Sequence, residues 1–129
     1  MKALVTAVVF VGMTLGSLHA ETGLPKSKLC RFRGGGFAYA GGIALPISMT
    51  MTNDGGWCGH LAKTVLGSGV FGVPTHVSRQ PAHGQVSIDV LSGGTNVSYR
   101  PDQAYHGPDS FSVWNEMINI ERTYNVVVR

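Results

Sequence analysis

The sequence predicts an all-β fold, and three observations carry that prediction. Apolar and polar residues alternate in several short runs, most clearly in Gln85–Leu91 and Tyr124–Val128, and a period of two is typical of strands with one buried face. Turn-forming clusters of Gly, Pro, Asn and Asp separate these runs at intervals of roughly 8 to 12 residues. No long run has the helical period of roughly 3.6 residues. Together the patterns predict an antiparallel sandwich or barrel.

The first twenty residues are predicted to be a secretory signal peptide. Lys2 supplies a positive charge, the stretch from Ala3 to Leu15 is largely apolar, and the small residue Ala20 stands where cleavage is expected. The apolar run is shorter than the roughly 20 residues of a membrane-spanning helix, so a retained anchor is the weaker alternative. We therefore expect residues 1–20 to be removed and residues 21–129 to form one exported domain, periplasmic or extracellular.

Charge and composition favour a protein partner over a nucleic acid. The predicted mature chain has nine Lys and Arg against seven Asp and Glu, a net charge of about +2, and nucleic-acid binding usually requires a clustered basic face. The basic, glycine-rich stretch Arg31–Gly36 resembles segments that bind RNA. Export disfavours that partner. A basic, glycine-rich lead-in to the first strand is the simpler interpretation, and contact with anionic lipid is the other. We expect an envelope or extracellular protein partner and no stable membrane span, with the oligomeric state open.

Both cysteines, Cys30 and Cys58, lie in the predicted mature chain. An even count in an exported protein indicates a disulfide, and closing a loop of about 29 residues stabilises by roughly 3 kcal/mol in the chain-entropy model. Free or metal-binding thiols are the alternative. Cys58 also stands two residues before His60, but a catalytic thiol would need a lowered pKa and a base held in geometry. We favour the disulfide.

The first strand of the mature chain is predicted around Pro46. Alternating residues there share one apolar face, namely Ile43, Leu45, Ile47, Met49 and Met51. Because Pro46 cannot donate to a ladder, this strand should lie at an edge or be broken at that residue. A turn cluster follows at Asn53–Gly56. Residues 57–71 fit either a short helix or an irregular strand, and a strand over residues 70–78 is entered or interrupted at Pro74.

The last fifty residues contain four further predicted strands. Residues 85–91 carry Val86, Ile88 and Val90 on one face, and a Gly turn leads into a return strand over residues 96–100. A long loop, residues 101–109, precedes a strand over residues 110–114. The final strand, residues 122–129, is rich in valine and is expected to pair centrally rather than at a water-facing edge.

This C-terminal half resembles the bacterial Ig-like or cadherin-like repeat of large surface proteins. The motif order is Pro-x-x-Gly-x-Val, a Gly turn, Val-x-Tyr-x-Pro and Tyr-x-Gly-x-Asp-Ser-Phe. The matching residues are Pro81, Gly84, Val86, Gly93, Gly94, Val97, Tyr99, Pro101, Tyr105, Gly107, Asp109, Ser110 and Phe111. The resemblance covers about half of the mature chain. It implies an Ig-like antiparallel β-sandwich of about seven strands and a structural or adhesive role. The acidic turn that commonly follows the motif is replaced here by residues 115–119.

The motif residues have structural explanations. Pro101 fixes φ and ends a strand, and Gly107 supplies a backbone angle that other residues avoid. Asp109 is expected to accept backbone N–H groups and close the turn before Phe111. Tyr105 is expected to pack at a corner of the sandwich and donate its hydroxyl to the backbone. Tyr99 belongs to the same structural group.

Two surfaces are candidates for binding. One is the loop that contains Gln103, Tyr105 and His106, because loops on a rigid scaffold commonly carry contacts. The other is the basic pair Arg31 and Arg33. An Ig-like fold also offers strand edges for pairing with a partner.

Two other function classes are weighed against binding. Met49, Met51 and His60 offer the soft thioether and imidazole ligands that Cu(I) prefers, which would suit a periplasmic copper carrier. The simpler interpretation of the two methionines is core packing. A Ser hydrolase is disfavoured because the sequence has no Gly-x-Ser-x-Gly elbow. We expect a non-catalytic protein without a cofactor or a resident metal.

Overall fold

The computed structural model describes residues 24–35, 44–66 and 69–129, so the predicted signal peptide and its cleavage point lie outside the described residues. The described residues form ten strands and no helix. The strands are β1 (Cys30–Gly34), β2 (Ile47–Met51), β3 (Cys58–Ala62), β4 (Thr64–Leu66), β5 (Gly69–Phe71), β6 (Thr75–Arg79), β7 (Gly84–Leu91), β8 (Gly94–Pro101), β9 (Gly107–Asn115) and β10 (Ile120–Val128). The all-β prediction is confirmed, with more strands than the seven expected.

The larger sheet has five strands in the order β1-β2-β10-β9-β6. All neighbouring pairs are antiparallel except β2 and β10, which run parallel with Met49 opposite Val126. The valine-rich strand β10 therefore lies between two neighbours, as its sequence predicted. Its buried residues alternate with exposed ones along the strand, which is the pattern of a sheet with one face in the core.

The smaller sheet has three antiparallel strands in the order β3-β8-β7. A two-residue turn, Ser92-Gly93, joins β7 to β8, and their register runs without interruption from Gly84 opposite Pro101 to Leu91 opposite Gly94. β4 and β5, which follow β3 and precede β6 in the chain, pair with each other as a separate two-stranded ribbon. Residues 57–71 were expected to form either a short helix or an irregular strand. They form three short strands, β3, β4 and β5, which agrees better with the strand than with the helix.

Both sheets contribute to a single core. Tyr99 of the smaller sheet and Phe111 and Tyr124 of the larger sheet form a continuous stack, with ring centroids 5.7 and 4.8 Å apart and planes within 5°. Residues buried around these rings come from five strands, and they are Ile47, Met49, Met51, Cys58, Val97, Val113, Val126 and Val128. The facing layers therefore share one hydrophobic centre.

The predicted disulfide joins the two sheets at one side. Cys30 of β1 is bonded to Cys58 of β3, with the two Cα atoms 5.3 Å apart. Each strand is at an edge of its own sheet. The bond therefore links the edges of two layers rather than neighbours within one sheet.

One prediction for the strand around Pro46 is wrong. Leu45 was expected on the buried face but is 59% exposed, because β2 begins only at Ile47, after Pro46. Of the two alternatives for Pro46, the break is therefore confirmed and the edge strand is wrong, since β2 pairs with strands on both sides. Ile43, of the same predicted face, lies outside the described residues. Val86, Ile88 and Val90 share one face of β7 as predicted, and Val90 is 48% exposed because it lies near the end of an edge strand.

Candidate functional site

A polar cleft of about 500 Å³ lies where the loop between β8 and β9 meets the connection between β2 and β3. The residues that line this polar cleft are Asn53, Gly55, Gln85, Arg100, Pro101, Asp102, Gln103 and Ala104. Pro101 is the last residue of β8, where its fixed φ and missing N–H suit the end of a strand. The polar cleft thus begins directly after the strand ends.

Asn53 fastens the β8–β9 loop to the rest of the protein. Its side-chain amide donates to the carbonyl oxygens of Asp102, at 2.9 Å, and Tyr105, at 2.8 Å. The loop also closes on itself, since the Tyr105 N–H donates to the Asp102 carbonyl at 3.1 Å. Ala104 adopts a left-handed backbone angle with φ of 68°, a strained conformation that surrounding contacts must maintain.

The ring of Tyr105 fixes the far side of the loop. It stacks on the imidazole of His83, with centroids 4.1 Å apart and planes within 7°. Its hydroxyl donates to the carbonyl of Pro108. Gly107 lies beneath it with φ of 131°, an angle that favours glycine. The hydroxyl-to-backbone bond has the form of the corner contact expected from the sequence.

Asp109 connects three parts of the chain. Its carboxylate accepts from the backbone N–H groups of Ala82 and His83, both at 3.0 Å, and from the hydroxyl of Tyr99 at 2.7 Å. Burial, followed by this hydrogen bond, raises the pKa of Tyr99 well above its ordinary value, so the phenol stays protonated and continues to donate. At Gly84, a Cβ would lie 2.5 Å from Cε1 of Tyr99. The motif residues therefore pack against one another.

Charged and aromatic groups fix the opposite wall of the polar cleft. The guanidinium of Arg100 lies over the ring of Trp57, 4.8 Å from its centroid, and donates to Oε1 of Gln85 at 2.9 Å. Next to the cleft, hydrogen bonds from the backbone N–H groups of Lys28 and Gly56 lower the pKa of Asp54. The cleft therefore presents amide, guanidinium and carboxylate groups, of which the Asn53 amide and the Arg100–Gln85 pair are held by hydrogen bonds.

The predicted binding residues fall into two places. Gln103 is exposed and lines the polar cleft, while Tyr105 is half-buried and His106 is exposed in the same loop. Arg31 and Arg33 are exposed on the edge strand β1, where they pair with Thr50 and Ser48. The basic pair does not line the cleft, so the two candidate surfaces are separate.

The residues of the copper interpretation lie in the interior. Met49 and Met51 are fully buried in the core. The half-buried ring of His60 contacts the rings of Phe32 and Tyr124, and its Nδ1 is 3.0 Å from the Tyr124 hydroxyl. Within residues 24–35, 44–66 and 69–129, no group of three or more His, Cys, Asp or Glu side chains could hold a metal ion. Cys58 cannot act as a thiol because it is in the disulfide.

Sequence reasoning missed Asn53, Gln85 and Arg100. Asn53 was assigned only to a turn, although its side chain bonds residues 49 and 52 positions away. Gln85 and Arg100 are paired across β7 and β8, and the hairpin prediction could have placed them opposite each other. No local pattern could have connected Asn53 to the later loop.

The polar cleft can bind a partner by hydrogen bonds and charge, since a guanidinium, a carboxylate and three primary amides converge there. Comparisons of this chain with family models, curated proteins and solved structures found no match. Among the described residues, no helix has the length and apolar character needed to cross a membrane.

Proposed function

We propose that this chain is an exported, non-catalytic binding protein with an Ig-like fold, which recognises an envelope or extracellular protein through the polar cleft. The observation that supports this most directly is that Asn53 and the stacked ring of Tyr105 attach the cleft loop to the rest of the protein. A loop that is already ordered loses little conformational entropy on binding. Loops fixed on a rigid β-scaffold are common sites of recognition.

Strand order supports the Ig-like assignment. In an Ig-type sandwich the second, fifth and fourth strands form one sheet, and the third, sixth and seventh strands form the other. If β3 is taken as the second strand, β8 and β7 follow in that order in the smaller sheet, and β6, β9 and β10 are adjacent in the larger one. The additional strands β1, β2, β4 and β5 lie before or between these elements.

The disulfide supports export. Disulfides form and persist in oxidising compartments and are rare where thiols are kept reduced. The Cys30–Cys58 bond agrees with the signal peptide predicted at residues 1–20. It also joins the two sheets that carry the cleft walls.

The experiment is an affinity capture from envelope extract, followed by calorimetry with the purified partner. We expect one dominant partner, and we expect Gln103→Ala and Arg100→Ala each to weaken its affinity by at least about fivefold, since central interface residues typically cost more than 1 kcal/mol on truncation. Asn53→Ala should also weaken binding, because it frees the loop.

The matched control is the double variant Arg31→Ala, Arg33→Ala on β1. Unchanged affinity in this variant, with loss in the cleft variants, supports the polar cleft as the site. Loss of affinity in the β1 variant alone would mean that the partner binds at the basic edge formed by Arg31 and Arg33 rather than at the polar cleft. Failure to capture any partner, with or without reductant, contradicts the binding function itself.

A further inference from the structure

The two larger sheets of the described residues end in four edge strands, namely β1, β3, β6 and β7. Edge strands expose unpaired backbone groups, and proteins protect them with short length, charged side chains, bulges or covering segments. Three of the four edges are protected by one or more of these devices, whereas β7 carries only one charged side chain.

Each protected edge uses a different device. β1 has five residues and carries Arg31 and Arg33. β6 has five residues, with a register shift between Val77 and Arg79. The edge of β3 is covered at Trp57, whose N–H donates to the Pro25 carbonyl and whose carbonyl accepts from the Ser27 N–H, both at 2.8 Å. The disulfide at Cys58 then ties β3 to the other sheet.

β7 is neither short nor bulged, and among the described residues no further strand pairs with its open edge. It has eight residues, Gly84–Leu91, in an uninterrupted register with β8. It contains no proline and no basic residue, and its one charged side chain, Asp89, lies on the outer face. Val86 and Ile88 are only partly buried against the core, and Val90 is 48% exposed.

The backbone of β7 has free pairing groups at defined residues. Leu91 is opposite Gly94 across the hydrogen-bonded turn, and such a turn is closed by a hydrogen bond between these two residues. Bonded and non-bonded pairs alternate along an antiparallel ladder. Val90, Ile88 and Val86 therefore direct their N–H and C=O groups away from β8, toward the open edge.

The sequence of this edge is self-complementary. Val86-Ser87-Ile88-Asp89-Val90 has the same order of apolar and polar residues in both directions, with Ile88 at the centre. A twofold axis at Ile88 would place Ile88 opposite Ile88, Val86 opposite Val90, and Ser87 opposite Asp89. Directly opposed residues share a face in an antiparallel pair, so each apolar side chain meets an apolar one. A twofold interface requires this self-complementarity.

We propose that two copies of this protein associate through antiparallel pairing of β7 about an axis at Ile88, which joins two three-stranded sheets into one of six strands. The pairing satisfies the outward backbone groups of Val86, Ile88 and Val90 in both copies. It covers the exposed part of Val90 with Val86 of the second copy, and it lets the Ser87 hydroxyl donate to the opposed Asp89 carboxylate. Of the residues that line the polar cleft, Gln85 alone lies on β7, and the axis would place it opposite Leu91 of the second copy.

The test is sedimentation equilibrium of the purified, oxidised protein, which should show a reversible monomer–dimer equilibrium. Ser87→Asp places two like-charged pairs across the axis and should weaken the dimer by about 2- to 30-fold, while Ser87→Lys places two opposite-charged pairs there and should strengthen it by a similar factor. Val90→Lys introduces a charge opposite Val86 and should give monomers with an unchanged circular dichroism spectrum.

Ser48→Asp and Ser48→Lys provide the matched control, because Ser48 is an exposed serine on β2, a strand paired on both sides. Neither change should alter the dimer constant. A protein that stays monomeric at all concentrations overturns the proposal, and so does a dimer that is indifferent to Val90→Lys. Weakening of the dimer by Ser87→Lys as well as by Ser87→Asp overturns the axis at Ile88. That result would mean that residue 87 of one copy faces residue 87 of the other, rather than Asp89.

Discussion

The imidazole of His60 is a neutral group in a core of aromatic rings. It lies 5.1 Å from the ring of Phe32 and 5.7 Å from that of Tyr124, measured between centroids. Burial lowers the pKa of His60 below its ordinary value of 6.5, and the positive charge of Arg122 lowers it further. The protonated form of His60 is therefore destabilised in the folded protein.

This shift predicts a loss of stability at mildly acidic pH. Because the folded-state pKa is below the unfolded value, the unfolded chain binds more protons, so the contribution of His60 is complete above about pH 6.5 and declines as pH falls toward the folded pKa. The urea midpoint should therefore fall between about pH 7 and about pH 5, and His60→Gln should reduce that fall. His106→Gln, at an exposed histidine, is the control. An equal pH dependence in wild type and His60→Gln would contradict the assignment.

Residue roles were predictable from the sequence where the partner is close in the chain. Asp109 was expected to accept backbone N–H groups, and it does accept from Ser110, the next residue. Its bonds to Ala82 and His83 were not foreseen, because they bridge 27 and 26 positions. Local turn chemistry is encoded in neighbouring residues, whereas a contact between loops depends on how the strands are ordered.

At the scale of elements, turn residues predicted where strands stop more accurately than where they start. The Ser92-Gly93 turn and the Asn53–Gly56 cluster both end strands as expected. β2 starts after Pro46, although the alternating pattern begins before it, because the proline interrupts the ladder. Alternation reports which face a residue would occupy if it were in a strand, but not whether a neighbouring strand extends that far.

The bond between β1 and β3 is predicted to be a major source of stability. Replacing both cysteines by serine should lower the free energy of unfolding by about 3 kcal/mol, because the unfolded chain regains the freedom of a loop of about 29 residues. Urea unfolding of the oxidised protein and of the double variant measures this difference. Reductant should lower the urea midpoint of the wild type and leave that of the variant unchanged. Equal midpoints for the oxidised protein and the variant would show that the bond contributes nothing.

At the scale of the whole molecule, Phe111 joins the two layers. Its ring is fully buried between Tyr99, from the smaller sheet, and Tyr124, from its own sheet. Phe111→Ala removes the middle of this stack and should destabilise by about 3 to 5 kcal/mol, a large part of the roughly 5 to 15 kcal/mol typical of a domain.

The matched control for this change is Phe71→Ala, which deletes the same atoms from an exposed position on the ribbon. We expect it to alter the free energy of unfolding by roughly 0.5 kcal/mol or less. Urea unfolding followed by near-ultraviolet circular dichroism measures both. A similar cost at the two positions would mean that the stack is not the centre of the core.

The parallel pairing of β2 with β10 has a consequence for the order of events during biosynthesis. A chain that emerges with its N-terminus first presents β2 long before β10, so Met49 has no partner on that side until Val126 has been made. Cys30 and Cys58, by contrast, both emerge in the first half and can be oxidised while the later strands are still being delivered. Closure of the larger sheet therefore requires β10 to have been made, whereas the disulfide requires only the first half of the chain.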